Sequence, residues 1–227
     1  MHACAAPGGS VILTGVDEPK RIVEDGYDAI SERYTELSRK FDWAPRRRYL
    51  NRLVELLPEG SRVLELGCGA GVPATVELAR HFDVTGIDLS SEQLSRAREN
   101  VPNARFIHAD MATVEVADLF DGAAAFYSLT HVPRGEVPRL FRRIRAWLRQ
   151  GGILVASVAA RETEQWFEPD WLGAPMFFSG YDAETNLQLL TDAGFEIQET
   201  ELVPQDEGEL GEATFCWVVA KAGTRAI

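Results

Sequence analysis

The chain has 227 residues, 45% of them hydrophobic and 26% charged, with 35 acidic against 23 basic side chains and a formal net charge of −12. That composition suits one α/β domain with an elaborated edge and excludes a disordered chain, and the negative surplus repels phosphate backbones, so no nucleic-acid partner is expected. Cys4, Cys68 and Cys216 are too few and too scattered for a disulfide framework or a thiolate metal site, and no apolar run reaches the ~20 residues of a membrane span, so a cytoplasmic protein with no metal and no membrane partner is expected.

Residues 1–18, with Pro7 and Gly8-Gly9, read as a flexible lead-in without the features of a signal peptide. From Pro19 to Lys40, Ile22, Tyr27, Ile30, Tyr34 and Leu37 recur near helical spacing, which predicts a helix. A second helix follows Pro45 and presents Leu50, Leu53, Val54 and Leu57 before Pro58-Glu59-Gly60 stops it. Because both precede any strand, residues 19–60 are expected to form helices that cover a ligand site on a sheet.

From Arg62 onward short apolar runs alternate with helix-period segments: RVLEL, Pro73 to His81, DVTGID, Ser91 to Asn100, ARFIHA, GAAAFYSL, a helix from about Glu136 to Leu148, and GILVASV. Such alternation predicts a doubly wound, Rossmann-like α/β fold across residues 61–227, its parallel strands joined by right-handed crossovers. Ser90 with Gln93 has capping-box spacing, and Asp182 is placed to cap a helix ending at Gly194. Arg46, Arg47, Arg48 and the arginines of residues 134–149 are expected on solvated helix faces.

After Ser157 the rhythm breaks. Trp166, Trp171, Phe177, Phe178 and Tyr181 crowd a segment of about residues 159–181, which reads as a mobile aromatic lid over a substrate. FEIQETEL and TFCWVVA then predict an antiparallel hairpin at the sheet edge.

The segment Val63-Leu64-Glu65-Leu66-Gly67-Cys68-Gly69-Ala70-Gly71-Val72 is a strand running into a glycine turn, where ligands of such sheets bind. A dinucleotide fingerprint would have its third glycine or alanine at position 72, but Val72 stands there. Glu65 disfavours a pyrophosphate and favours an ammonium, so the turn suits an aminoacyl group better than NAD(P). Asp88, at the end of the second strand, is placed to accept hydrogen bonds from a ribose diol. Asp110, at the end of the third, can take an adenine amino group, with Met111 against the purine.

In order and spacing, ELGCGAG, GIDLS, FIHADM, FYSLTHVP and LRQGGILVAS resemble the motifs of class I S-adenosylmethionine-dependent methyltransferases of the small-molecule type, over about residues 24–220. The resemblance implies a seven-stranded sheet with an antiparallel last strand, S-adenosyl-L-methionine as cofactor and S-adenosyl-L-homocysteine as product. It implies that Glu65, Gly67, Cys68, Gly69 and Gly71 surround the methionine end, Asp88 and Leu89 the ribose, and Asp110 and Met111 the adenine. It also places Tyr127 and Ser128 near the sulfonium, and Tyr27 and Tyr34 on a helix closing over the cofactor carboxylate. His131, just beyond the fourth strand, is the candidate general base, because imidazole titrates near neutral pH. The expected acceptor is a small apolar or aromatic molecule methylated on O or N. An NAD(P)-dependent oxidoreductase and a non-catalytic cofactor-binding protein are the alternatives, and the sequence leaves the oligomeric state open.

Overall fold

The computed structural model describes residues 18–40, 44–206 and 211–224, so the expected lead-in lies, but for Glu18, outside the described residues. Three helices open the chain: α1 (Glu18–Ala29), α2 (Ser31–Lys40) and α3 (Ala44–Leu56). Alternation follows, through β1 (Arg62–Leu66), α4 (Ala74–Leu78), β2 (Asp83–Asp88), α5 (Ser91–Asn100), β3 (Arg105–His108), β4 (Phe120–Ala125), α6 (Val137–Trp147) and β5 (Leu148–Ala159). A hairpin, β6 (Thr163–Trp171) and β7 (Ala174–Gly180), precedes α7 (Ala183–Asp192), β8 (Phe195–Asp206) and β9 (Glu212–Ala222).

Seven strands form one sheet in the order β3-β2-β1-β4-β5-β9-β8. Pairing is parallel from β3 to β5, and β9 runs antiparallel between β5 and β8. The doubly wound sheet with an antiparallel last strand is therefore present, with β8 rather than β9 at the edge. Leu140, Phe141 and Ile144 of α6 and Leu190 of α7 cover one face. Tyr49, Leu50 and Leu53 of α3 and Leu78 of α4 cover the other, packed around Trp217. Trp217 stacks on Tyr49 at 4.8 Å, and an indole buried to this extent is worth about 3–5 kcal/mol against truncation to alanine.

Several sequence expectations change. The single helix over Pro19 to Lys40 is two, divided by a turn at Ile30, because the halves bury against different partners: α1 lies on the β6–β7 hairpin, whereas the buried side chains of α2 are Ser31, Thr35 and Ser38. Gly26 permits the first contact, since a Cβ there would sit 2.6 Å from the Pro175 carbonyl oxygen. Helix α3, grouped with the covering helices above, packs on the sheet itself. The segment expected to be a mobile aromatic lid forms the β6–β7 hairpin, which packs with α1 around a cluster of Val23, Ile30, Leu172, Met176 and Phe177. Arg46 and Arg145 are buried rather than solvated; Arg145 donates to the Leu148 carbonyl at 3.3 Å and to that of Gly223. Among the described residues no helix is long and apolar enough to cross a membrane.

Candidate functional site

The carboxyl ends of β1, β2, β3 and β4 converge on one crevice, as a doubly wound sheet requires. It is lined by Gly67 and Gly69 after β1, Asp88 and Leu89 at β2, Asp110 and Met111 after β3, Tyr127 and Ser128 after β4, with Tyr27 and Tyr34 from the covering helices. His131, from the 3₁₀ turn that follows β4, closes the same space.

The glycine turn is held from within. Gly67 and Cys68 donate their N–H groups to the Ile87 carbonyl at 2.8 and 3.1 Å, and Gly69 donates to Asp88 Oδ2 at 2.7 Å. Gly67 has φ +71°, and a Cβ on it would meet Ser128 Cβ at 2.2 Å, so no larger residue fits. Gly71, expected beside the cofactor, instead turns towards Ala97 and Val101, where it allows the helix to approach the turn. Cys68 contributes main chain; its thiol is buried with Leu94, Ala97 and Phe106, and burial together with Asp88 and Glu65 pushes it far above the usual thiol range.

Glu65 lies in a recess that adjoins the crevice at Tyr34, Gly67 and Gly69; it is 3% exposed and accepts from Thr75 Oγ1 at 2.6 Å. Burial, only partly offset by that bond and by the charge of Arg46, raises its carboxyl to about 7. Arg46 lines the same recess with Tyr34, Thr35, Ser38 and Gly67, and its guanidinium lies 4.8 Å over the Tyr127 ring. A buried carboxyl and a buried guanidinium facing one recess are complementary to the ammonium and carboxylate of an amino acid. The sequence reading missed Arg46, although Arg46, Tyr49, Leu50 and Leu53 share one helical stripe at spacings of three and four.

Asp88 accepts from the backbone N–H groups of Gly69 and Ser90, the latter at 2.9 Å, and burial raises its carboxyl despite them. A carboxylate has about four acceptor positions, so capacity for a ribose diol is left. Gln93 was also missed. Its N–H meets the Ser90 hydroxyl at 3.0 Å, yet its side chain does not return the bond: both amide atoms are buried in the crevice wall without a partner. Asp110 is already engaged, with Ala112 N–H at 2.8 Å and Lys20 at 2.7 Å; Lys20 also reaches Glu136 at 2.7 Å, so α1 is latched onto the segments that follow β3 and precede α6. Those two carboxylates outweigh burial and raise the lysine.

His131 Nδ1 faces the Phe177 carbonyl at 2.8 Å, and because a carbonyl only accepts, the proton is on Nδ1. Nε2 is then an acceptor and takes the Tyr27 hydroxyl at 2.9 Å. Burial depresses the imidazole to about 4, so it is neutral at physiological pH.

Tyr27, Tyr34, Tyr127 and His131 also line a second cavity of about 580 Å³, between the crevice and the hairpin. Trp166, Trp171 and Phe178 face it, as expected of covering aromatics. Phe177 and Tyr181 do not: Phe177 is 0% exposed beneath the hairpin, and Tyr181 packs against the main core under Arg134.

Residues 38–200 match the family described as a methyltransferase domain. The chain belongs to this family. The chain is 40% identical over 117 residues to trans-aconitate 2-methyltransferase of Variovorax paradoxus, covering 48% of this chain and 42% of that protein. It is 33% identical over 154 residues to phosphoethanolamine N-methyltransferase 3 of Arabidopsis thaliana, covering 63% of this chain and 30% of that protein. The chain therefore spans less than half of either relative. Its fold is that of magnesium protoporphyrin IX methyltransferase from Synechocystis PCC 6803 with bound S-adenosylmethionine, at a TM-score of 0.69 and 17% identity over 92% of this chain and 99% of that one. S-adenosylmethionine is the cofactor of this family, and the crevice fits it: an acid and a guanidinium at one end, Asp88 in the middle, Met111 beyond, and an unpartnered amide in the wall. The oxidoreductase alternative finds no support in these relationships.

Proposed function

We propose that this chain transfers a methyl group from S-adenosylmethionine to an O or N nucleophile of a small molecule held in the 580 Å³ cavity. One observation carries the reading: the cavity shares Tyr27, Tyr34, Tyr127 and His131 with the cofactor crevice, so an acceptor in one space meets a methyl group presented from the other. Glu65 and Arg46 hold the aminoacyl group, Asp88 the ribose, and Met111 packs on adenine. The cofactor supplies a methyl on a sulfonium, and its loss to the acceptor leaves S-adenosylhomocysteine.

The chain's own contribution is alignment. An imidazole held near 4 takes few protons from an alcohol or ammonium, so His131 positions rather than deprotonates: fixed by Phe177, it offers Nε2 to Tyr27, at the place where an acceptor hydroxyl would bond. Proximity and orientation account for roughly 7–11 kcal/mol in such a displacement, enough to carry the rate without a strong base. Aromatic side chains line the cavity and favour the sulfonium cation.

The test is titration calorimetry with S-adenosylhomocysteine and NAD, followed by incubation with S-adenosylmethionine and a panel of amines, phenols and carboxylates. Binding of S-adenosylhomocysteine and its formation in turnover are expected. Heat with NAD and none with S-adenosylhomocysteine would overturn the assignment.

A further inference from the structure

The acceptor cavity carries a charge pattern that its aromatic walls do not require. Glu168 and Asp170 reach it from β6 and Glu212 from β9, while Arg161 is the one basic side chain among its described lining residues. On β6, Trp166, Glu168, Asp170 and Trp171 line the cavity, while Phe167 turns into the hairpin's own cluster. None of the three carboxylates lines the cofactor crevice, so they belong to the part of the cavity that the crevice does not share.

Their neighbours share a guanidinium and they do not. Glu162 and Glu164 are both paired to Arg134, at 2.6 and 3.5 Å. Among the described residues, no lysine or arginine pairs with Glu168, Asp170 or Glu212; Asp170 accepts from the Gly173 N–H at 3.0 Å and Glu168 from the Asp170 N–H at 3.4 Å. Independently of these acids, the walls form an aromatic box: Trp171 lies 5.6 Å from Tyr27, 5.7 Å from Tyr34 and 5.8 Å from Phe178, and Trp166 lies 5.4 Å from Phe178. Ring faces attract organic cations, and unpaired carboxylates beside them add an attraction of the same sign, moderated by solvent because Asp170 and Glu212 are exposed and Glu168 is half-buried. An anionic ligand meets the same groups as repulsion.

We propose that the methyl acceptor is an organic cation, an ammonium on an apolar or aromatic skeleton, whose charge sits against Glu168, Asp170 and Glu212 and whose skeleton lies in the aromatic box. The assignment rests on this cavity being the acceptor site. It makes the three carboxylates selectivity residues that discriminate by charge at a distance from the reacting atoms.

Three probes of one shape class separate charge from apolar fit: benzyltrimethylammonium, its neutral isostere neopentylbenzene, and 3-phenylpropionate. None of them needs to be methylated, because binding is read by tryptophan fluorescence on the protein saturated with S-adenosylhomocysteine. The cation is expected to bind roughly 10-fold or more tightly than either of the others, in keeping with cation–ring and carboxylate attractions acting together. In Glu168→Gln/Asp170→Asn/Glu212→Gln that preference is expected to fall several-fold, to what the ring faces alone provide, while S-adenosylhomocysteine affinity is unchanged. Equal binding of the neutral isostere, preference for the anion, or binding of none of the three overturns the proposal. A cation preference undiminished by the triple substitution overturns the role of these carboxylates. Failure to bind S-adenosylhomocysteine at all would instead strike the methyltransferase reading on which the proposal rests.

Discussion

Cofactor binding should release a proton from Glu65. The carboxyl is 3% exposed and burial raises it to about 7, so near neutrality the free protein holds it half protonated. An ammonium placed against it favours the ionised form. With a pKa well below 6 in the complex, the affinity for S-adenosylhomocysteine rises roughly tenfold between pH 6 and pH 8, about 1.4 kcal/mol. Calorimetry in two buffers of different ionisation enthalpy reads the proton directly: about 0.9 released per cofactor at pH 6, about 0.5 at pH 7 and about 0.1 at pH 8. In Glu65→Gln the pH dependence disappears and affinity at pH 8 falls by about 1.5–3 kcal/mol, the worth of a hydrogen bond to a charged group. The free protein is affected in the opposite sense. Because the folded carboxyl lies above its unfolded value, its contribution to stability is present below about pH 4.5 and declines as pH rises to about 7, an effect the Gln variant abolishes. Affinity that is flat from pH 6 to 8, with no proton release, would refute this account. Release that persists in Glu65→Gln would assign the proton to Asp88, whose carboxyl is also raised.

Tyr27 and His131 meet through one hydrogen bond of 2.9 Å, so Tyr27→Phe and His131→Ala should each lower turnover, and the double variant should lose little more than the worse single one. Strict additivity, measured as S-adenosylhomocysteine formed, would separate them into independent roles. Gly26→Ala should loosen α1 even though alanine favours an isolated helix by about 1 kcal/mol, because its Cβ would sit 2.6 Å from the Pro175 carbonyl oxygen. Faster hydrogen exchange across residues 18–29 is expected; slower exchange would show that the close approach is not limiting.

Local rules made the sheet legible. Alternating apolar runs locate β1 to β5, and Asp182 caps α7 through the Thr185 N–H at 2.8 Å, as its position before a helical segment suggests. The glycine turn and the acids at successive strand ends could be found because they lie close together in sequence. What stayed hidden depends on contacts between distant segments. Arg46 reads as solvated because arginine usually is, yet its place in the stripe with Tyr49 and Leu53 buries it against Glu65 and Tyr127. Gly71 belongs to the motif, but the space beside it is taken by Ala97 and Val101. His131 has a neutral-range imidazole in sequence; a carbonyl 46 residues away and burial by the hairpin decide its protonation. The aromatic segment carries alternating residues, but its register shifts between Thr163/Trp166 and Glu168/Trp171 blur the period of two.

The hairpin and α1 close around a cluster of their own, Val23, Ile30, Leu172, Met176 and Phe177, apart from the two clusters that pack the faces of the sheet. Changes distant enough to share no packing neighbours act nearly independently. Val23 of this cluster lines the cofactor crevice and Tyr27 and Tyr34 line both spaces, whereas Trp166, Glu168 and Asp170 line the cavity alone, so on the proposed reading acceptor preference is adjustable from β6 with cofactor retention left to the rest. A library confined to the cavity-facing positions of β6 should redirect which molecule is methylated while the glycine turn, Asp88 and the Glu65 recess keep the same hold on the donor, making the hairpin an exchangeable adaptor on a constant engine.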